Sequence, residues 1–135
     1  MTKAFDKLPE EKKQHILKVC IEEFGKNGYD KTSTNNIVAK AGIGKGMLFH
    51  YFGSKKQLFI YLVNVCLDII MKSIHCKLEE IESDDFFKRV KKILFHKLIV
   101  TSEHEEEYML IVKAFTATPI ELNNELKIIQ IKYLI

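Results

Sequence analysis

The stretch from Thr32 to Gly53 constrains the fold more than any other part of the chain. It opens on Thr32-Ser33-Thr34-Asn35-Asn36, side chains whose oxygens cap helices by accepting from unpaired backbone amides. Ile37, Val38 and Ala41 follow at the spacing of one helix face. Gly42 then offers the left-handed backbone that ends a helix. After Ile43-Gly44, a second short segment from Lys45 to Phe52 carries Leu48 and Phe52, and Gly53 closes it. Two brief helices joined by a tight glycine turn fit a helix-turn-helix, with Ile37, Val38, Leu48 and Phe52 spaced to pack the pair against a preceding helix.

The rest of the chain also reads as helix. Pro9, Glu10 and Glu11 suit the first turn of a helix whose inner face is Ile16, Leu17, Cys20, Ile21 and Phe24, with Gly25 and Gly28 expected to close it. Ser54-Lys55-Lys56-Gln57 has the form of a capping box. It predicts a long helix with Leu58, Leu62, Val65, Ile69, Ile74, Leu78 and Ile81 inward, to about Glu82. Ser83-Asp84-Asp85 predicts a turn and a new cap, followed by a helix to about Val100 that Thr101 to Glu103 breaks. Glu105 to Glu107 place acids in another first turn, Thr118-Pro119 stops that helix, and Ile120 to Ile135 reads as a last one. No segment alternates apolar and polar residues as a half-buried strand does. The expected fold class is all-α: an N-terminal three-helix head over 1–53, then a helical region over 54–135.

Charge is divided unevenly between these parts. Residues 1–60 hold 11 Lys against 6 acids, whereas the remainder is net negative. From Lys26 to Lys56, six lysines face Asp30 alone, so the head is built to meet an anion. Enzyme readings fail. Gly42-Ile43-Gly44-Lys45-Gly46 lacks both the earlier Gly and the Ser or Thr after Lys that a phosphate loop needs, and no metalloprotease motif, nucleophile elbow or paired carboxylates are found. No cofactor and no metal site is expected: His75 and Cys76 are neighbours, which a helix points about 100° apart. Cys20, Cys66 and Cys76 form no CxxC and read as thiols of a reducing cytoplasm. Met1 to Asp6 leads into charge rather than a signal sequence. The apolar window Leu58–Met71, interrupted by Asn64 and Asp68, is too short to span a bilayer.

Within the head, Gly44 and Gly46 let the backbone approach a duplex closely, and amides at the start of the second short helix, with Lys45, suit phosphate or a base edge. The hydroxyls and amides of Thr32 to Asn36 form a second such mouth, and Lys55 and Lys56 a third. Tyr29, Leu48, Phe49 and Phe52 read as core by spacing.

The run Ile37-Val38-Ala39-Lys40-Ala41-Gly42-Ile43-Gly44-Lys45-Gly46-Met47-Leu48-Phe49-His50-Tyr51-Phe52-Gly53-Ser54-Lys55-Lys56-Gln57-Leu58, with Phe24-Gly25-Lys26-Asn27-Gly28-Tyr29 upstream, resembles the DNA-binding signature of TetR-type (TetR/AcrR) transcriptional regulators. The resemblance covers Leu8 to Tyr61, about two fifths of the chain. It implies a repressor that binds a near-palindromic operator as a homodimer and is released by a small effector. It implies DNA contacts from Ser33 and Asn35 or Asn36 and close approach at Gly44, major-groove contacts from Lys45, Gly46 and Met47, and backbone contacts from His50, Tyr51 and Lys55. Two positions depart from the family pattern. Phe49 stands where Tyr is usual, removing a hydroxyl, and Gly44 stands where a small polar residue is common. With no Arg in the head, the bidentate guanine contact is unavailable, which favours an A·T-rich operator read by Lys45, amides and Met47.

In this family the later helices hold the effector and the dimer contacts. Tyr61, Phe86, Phe95, His96, Met109 and Phe115 are the candidates for a mostly apolar pocket taking an apolar or aromatic molecule. Family members continue through two further helices beyond a point equivalent to Ile135, so the dimerisation half is expected to be incomplete here. The rival reading is a helical interaction module whose basic head binds an acidic protein. No membrane partner is expected.

Overall fold

A computed structural model describes residues 2–79 and 85–133, with the side chains of 77–79 also outside the description. The expected turn at Ser83-Asp84, the inward places of Leu78 and Ile81, and the terminal Leu134-Ile135 lie outside the described residues. The fold is all-α, with no strand among the described residues. In order come α1 (Lys3–Asp6), α2 (Glu10–Lys31), α3 (Thr34–Ala41), α4 (Met47–Phe52), α5 (Lys55–Glu79), α6 (Phe86–Glu103), α7 (Glu105–Thr116), a 3-10 turn (Ile120–Leu122) and α8 (Asn123–Tyr133).

Several ends form for the reasons the residues suggest. Ser33 caps α3, its Oγ accepting from the Asn36 amide at 3.4 Å. Gly42 is left-handed at φ 65°, ψ 32°. The amides of Gly42 and Ile43 then reach back to the carbonyls of Ala39 and Val38 at 3.4 and 3.2 Å, which satisfies carbonyls the helix end would orphan. The Gln57 amide donates to Ser54 Oγ at 3.1 Å, and Asp85 caps α6 by accepting from Phe87 and Lys88.

Other ends differ. Gly28 does kink α2, at φ 77°, ψ 176°, but Gly25 is helical. The missing side chain at Gly25 serves packing instead: a Cβ there would stand 3.1 Å from the Glu106 carbonyl on α7. The second short helix starts at Met47 rather than Lys45, because Gly44 to Met47 is a turn closed by the Met47 amide on the Gly44 carbonyl at 2.9 Å. α6 runs through Thr101 to Glu103; Thr101 donates its hydroxyl to the Leu98 carbonyl and stays in the helix. α1 has no counterpart in the sequence reading. It carries one buried side chain, Phe5, against Tyr51 and Phe52, and the Thr2 amide and hydroxyl donate to the carbonyls of Tyr51 and His50.

The central helix is α5. Leu58 and Leu62 are buried as expected, but the inward face continues through Phe59, Val63, Cys66, Leu67 and Ile70, while Val65, Ile69 and Ile74 are half-buried. By length and composition the 22 residues Lys55–Cys76 could cross a bilayer, which corrects the reading of that region as too short. In the fold this helix is the spine of the core. The buried cluster runs from Phe5 through α2, α3, α4 and α5 to Leu110, Ala114, Leu122, Leu126 and Ile129, so head and body share one apolar interior. Burial pushes the thiols of Cys20 and Cys66 up to about 12, leaving them as small apolar groups. α6 joins the interior mainly through Val100. Phe86, Phe87, Leu94, Phe95 and Leu98 on the same helix are all more than half exposed.

Candidate nucleic-acid interface

The turn between α3 and α4 brings one set of expected residues to a common surface. Asn35 and Asn36 are exposed on the first turn of α3. Gly44, Lys45 and Gly46 are exposed in the turn, and Met47 and His50 are exposed on α4. The apolar residues expected to hold this unit do so: Ile37, Val38, Ala41, Leu48 and Phe52 are buried. A six-residue helix could not hold its shape alone. It is fixed by this packing and by the Thr2 clamp on its last turn.

Around this surface, the lysines differ in how they are held. Lys40 is ion-paired with the buried Glu23 of α2, which joins α3 to α2. Lys55 is half-buried, its ammonium 4.8 Å over the Tyr29 ring. Lys56 is paired with Glu125 of α8 at 2.6 Å, and that pairing holds the Glu125 carboxyl below its usual range. The Tyr29 hydroxyl is pushed up to about 12 by burial, then by a hydrogen bond to Glu121. Lys45 lies exposed at the centre of the surface.

Three expectations change. Tyr51 is 3% exposed and packs edge-on against Phe5 at 5.7 Å, so it belongs to the core rather than to a contact with DNA. Phe49, expected in the core, is 41% exposed on α4. The two positions are about 200° apart around a helix, and α4 turns the hydroxyl-bearing ring inward. Thr32 is buried, its hydroxyl lying 3.1 Å from the Glu23 carbonyl and 2.5 Å from that of Gly28; it pins the end of α2 and is not part of the mouth of α3. Ser33 is half-buried and occupied as a cap.

The structure does not gather the six effector candidates into one pocket. Tyr61 borders a small hollow of 130 Å³ with Phe5 and Lys13. Phe95 and His96 lie along a 600 Å³ groove on α6. Met109 borders a 540 Å³ cleft between α2 and α7 with Gly25, Glu22 and Glu106. Phe86 is 71% exposed, and Phe115 packs half-buried against the core. Phe86 and Phe95 on α6 are both more than half exposed and do not converge with Tyr61, Met109 and Phe115. His104 Nε2 lies 3.1 Å from Ser73 Oγ on α5. Among the described residues there is no group of three or more side chains able to hold a metal ion.

A head of α1 to α4 with an exposed, polar and basic turn, mounted on a helical body, defines a helix-turn-helix protein. Residues 16–62 match the tetR family of bacterial regulatory proteins. Over 118 residues, 87% of this chain and 39% of the relative, the sequence is 32% identical to the uncharacterized HTH-type transcriptional regulator YerO of Bacillus subtilis. Over 53 residues, 39% of this chain and 28% of the relative, it is 42% identical to the HTH-type transcriptional regulator QacR of Staphylococcus aureus. A TetR family transcriptional regulator from Chloroflexus aurantiacus superposes with a TM-score of 0.74 at 28% identity, over 85% of this chain and 52% of that one. The chain belongs to the TetR family of bacterial regulatory proteins. It spans between about a quarter and about half of the length of these three relatives.

Proposed function

We propose that the chain is a transcriptional repressor whose head, residues 1–53, binds double-stranded operator DNA. The observation that carries this reading is the common exposure of Asn35, Asn36, Lys45, Met47 and His50 on a rigidly packed helix-turn-helix. Two amides, a cation and a thioether on such a unit match the demands of a major groove: donors and acceptors for base edges, and an apolar atom for a thymine methyl. Lys55 would supply a phosphate contact at the edge. The region 54–135 carries the effector site and dimer contacts of a cytoplasmic homodimer, and a near-palindromic operator follows from two-fold symmetry. The effector would be a small apolar or aromatic molecule, a reading supported by the groove beside Phe95 and His96.

Selection of bound duplexes from a random pool tests this directly. The expected result is an enriched near-palindrome, A·T-rich at the contacted steps. Binding should fall steeply with salt, reflecting roughly four to six phosphates per head. Equal affinity for an acidic polymer of matched charge would instead support an acidic protein partner.

A further inference from the structure

An ion pair ties the start of α5 to the segment after Pro119. Lys56 Nζ lies 2.6 Å from Glu125 Oε1. Beside it, the Lys55 ammonium stands over the Tyr29 ring on α2, whose hydroxyl is raised by burial first and also by Glu121 of the same segment. The segment that carries both acids is fixed: Leu122, Leu126 and Ile129 are buried, and the Tyr133 hydroxyl donates to Asp68 on α5. The body therefore holds a carboxylate against a lysine at the edge of the head.

We propose that Glu125 sets the affinity of the DNA interface by withholding Lys56 from phosphate. The inference rests on the DNA-binding reading above and names a residue of the body that regulates that surface. Lys56 follows Lys55 at the first turn of α5, immediately after the head ends. Its partner is anchored by buried apolar residues on either side, so the carboxylate stays in place without relying on the ion pair itself. The two side chains are 41% and 37% exposed, and a pair at that exposure is weak enough to be exchanged. A lysine neutralised in this way adds little to the pull of a duplex, and removing the carboxylate frees one more cation for a phosphate.

The test is a cycle on the full chain, measured by titration of a selected operator and a random duplex at several salt concentrations. Glu125→Gln should bind both about two- to fivefold more tightly, with a salt slope steeper by about 0.9 per head. Lys56→Gln alone should change little, and the double variant should return to the parent affinity. Glu105→Gln removes the same charge from the first turn of α7, outside the ion pair, and should not reproduce the gain. If the parent binds the operator but Glu125→Gln matches it in affinity and slope, or Glu105→Gln gives an equal gain, the pair is only a tether and the proposal falls. A parent chain that binds no duplex overturns the DNA-binding reading, and this inference with it.

Discussion

Gly25 on α2 and Glu106 on α7 meet backbone to backbone: a Cβ on Gly25 would stand 3.1 Å from the Glu106 carbonyl oxygen and 3.6 Å from the Leu110 amide. That approach seats the head on the body, because Leu110 and Ala114, one and two turns further along α7, are fully buried in the shared core.

Gly25→Ala should destabilise the chain. Alanine gains up to about 1 kcal/mol in helix propensity over glycine. The obstructing atoms here are the backbone of a packed helix, which cannot swing aside, and overpacking of that kind costs about 1–3 kcal/mol. The expected balance is a loss of about 1 kcal/mol, read as a lower urea midpoint at unchanged slope. A midpoint that rises would show that α7 can slide at no cost.

Gly42 gives the opposite case. A Cβ there meets nothing within 4 Å, but φ is +65°. Gly42→Ala should therefore cost only the left-handed penalty, about 1–2 kcal/mol. Gly42→Asn should cost less, since Asn takes that conformation more readily than other residues with a side chain. Denaturation of both variants checks the order. Equal losses would mean that something other than backbone conformation sets the cost.

The contrast between Gly25 and Gly42 shows what could be read in the chain. Gly42 was legible because its role is local: it follows Ala41 at the end of an apolar period, and the two amides it frees bond within five residues. Gly25 resembles a helix stop in sequence, but its reason lies more than 80 positions away in α7. The same division explains the interface. The caps, the turn and the buried Ile37, Val38, Leu48 and Phe52 follow from spacing. The exchange of Phe49 and Tyr51 does not, since α4 has six residues, fewer than two turns, and so short a period leaves the helix rotation open. Phe5, which takes Tyr51 inward, precedes it by 46 positions on a helix too short to show any pattern. On α6 an apolar stripe signals a helix but not what faces it, which is why the effector candidates did not converge.

Exposure of Phe49 leads to a prediction about affinity. Phe49→Tyr adds a hydroxyl on the same surface as Met47 and His50 and restores the family's usual residue. It should strengthen binding to operator and random duplex alike, by about 1 kcal/mol for one added hydrogen bond, because a phosphate contact carries no sequence information. Anisotropy titrations on both duplexes would show it. A gain confined to the operator would place Phe49 against a base instead.

Lys45 and Lys55 should separate in the same assay. Lys45 sits exposed in the turn between α3 and α4, whereas Lys55 is half-buried at the start of α5 over Tyr29. Lys45→Ala should relax specificity, at a cost of about 1–3 kcal/mol on the operator. Lys55→Ala should weaken all sequences evenly and lower the salt slope by about one. Parallel losses for both variants would contradict these roles.

The carboxyl of Glu106 is raised above its ordinary value, by desolvation first and then by the charge of Glu22 across the cleft, with Lys18 opposing and Glu107 and a hydrogen bond to Glu22 adding. A carboxyl raised in the folded state binds its proton more tightly there than in the unfolded chain. Stability is therefore higher while Glu106 is protonated and declines as pH rises through the unfolded value toward the raised folded one. Glu106→Gln mimics the protonated form and should stabilise the chain at neutral pH, by on the order of 0.5 kcal/mol for a group this exposed. Its advantage should shrink as the pH falls below the unfolded value, where the parent carries the proton too. Thermal melts of parent and variant across that range would test the sign: an advantage that persists undiminished in acid would mean that the repulsion between Glu22 and Glu106 is not its source.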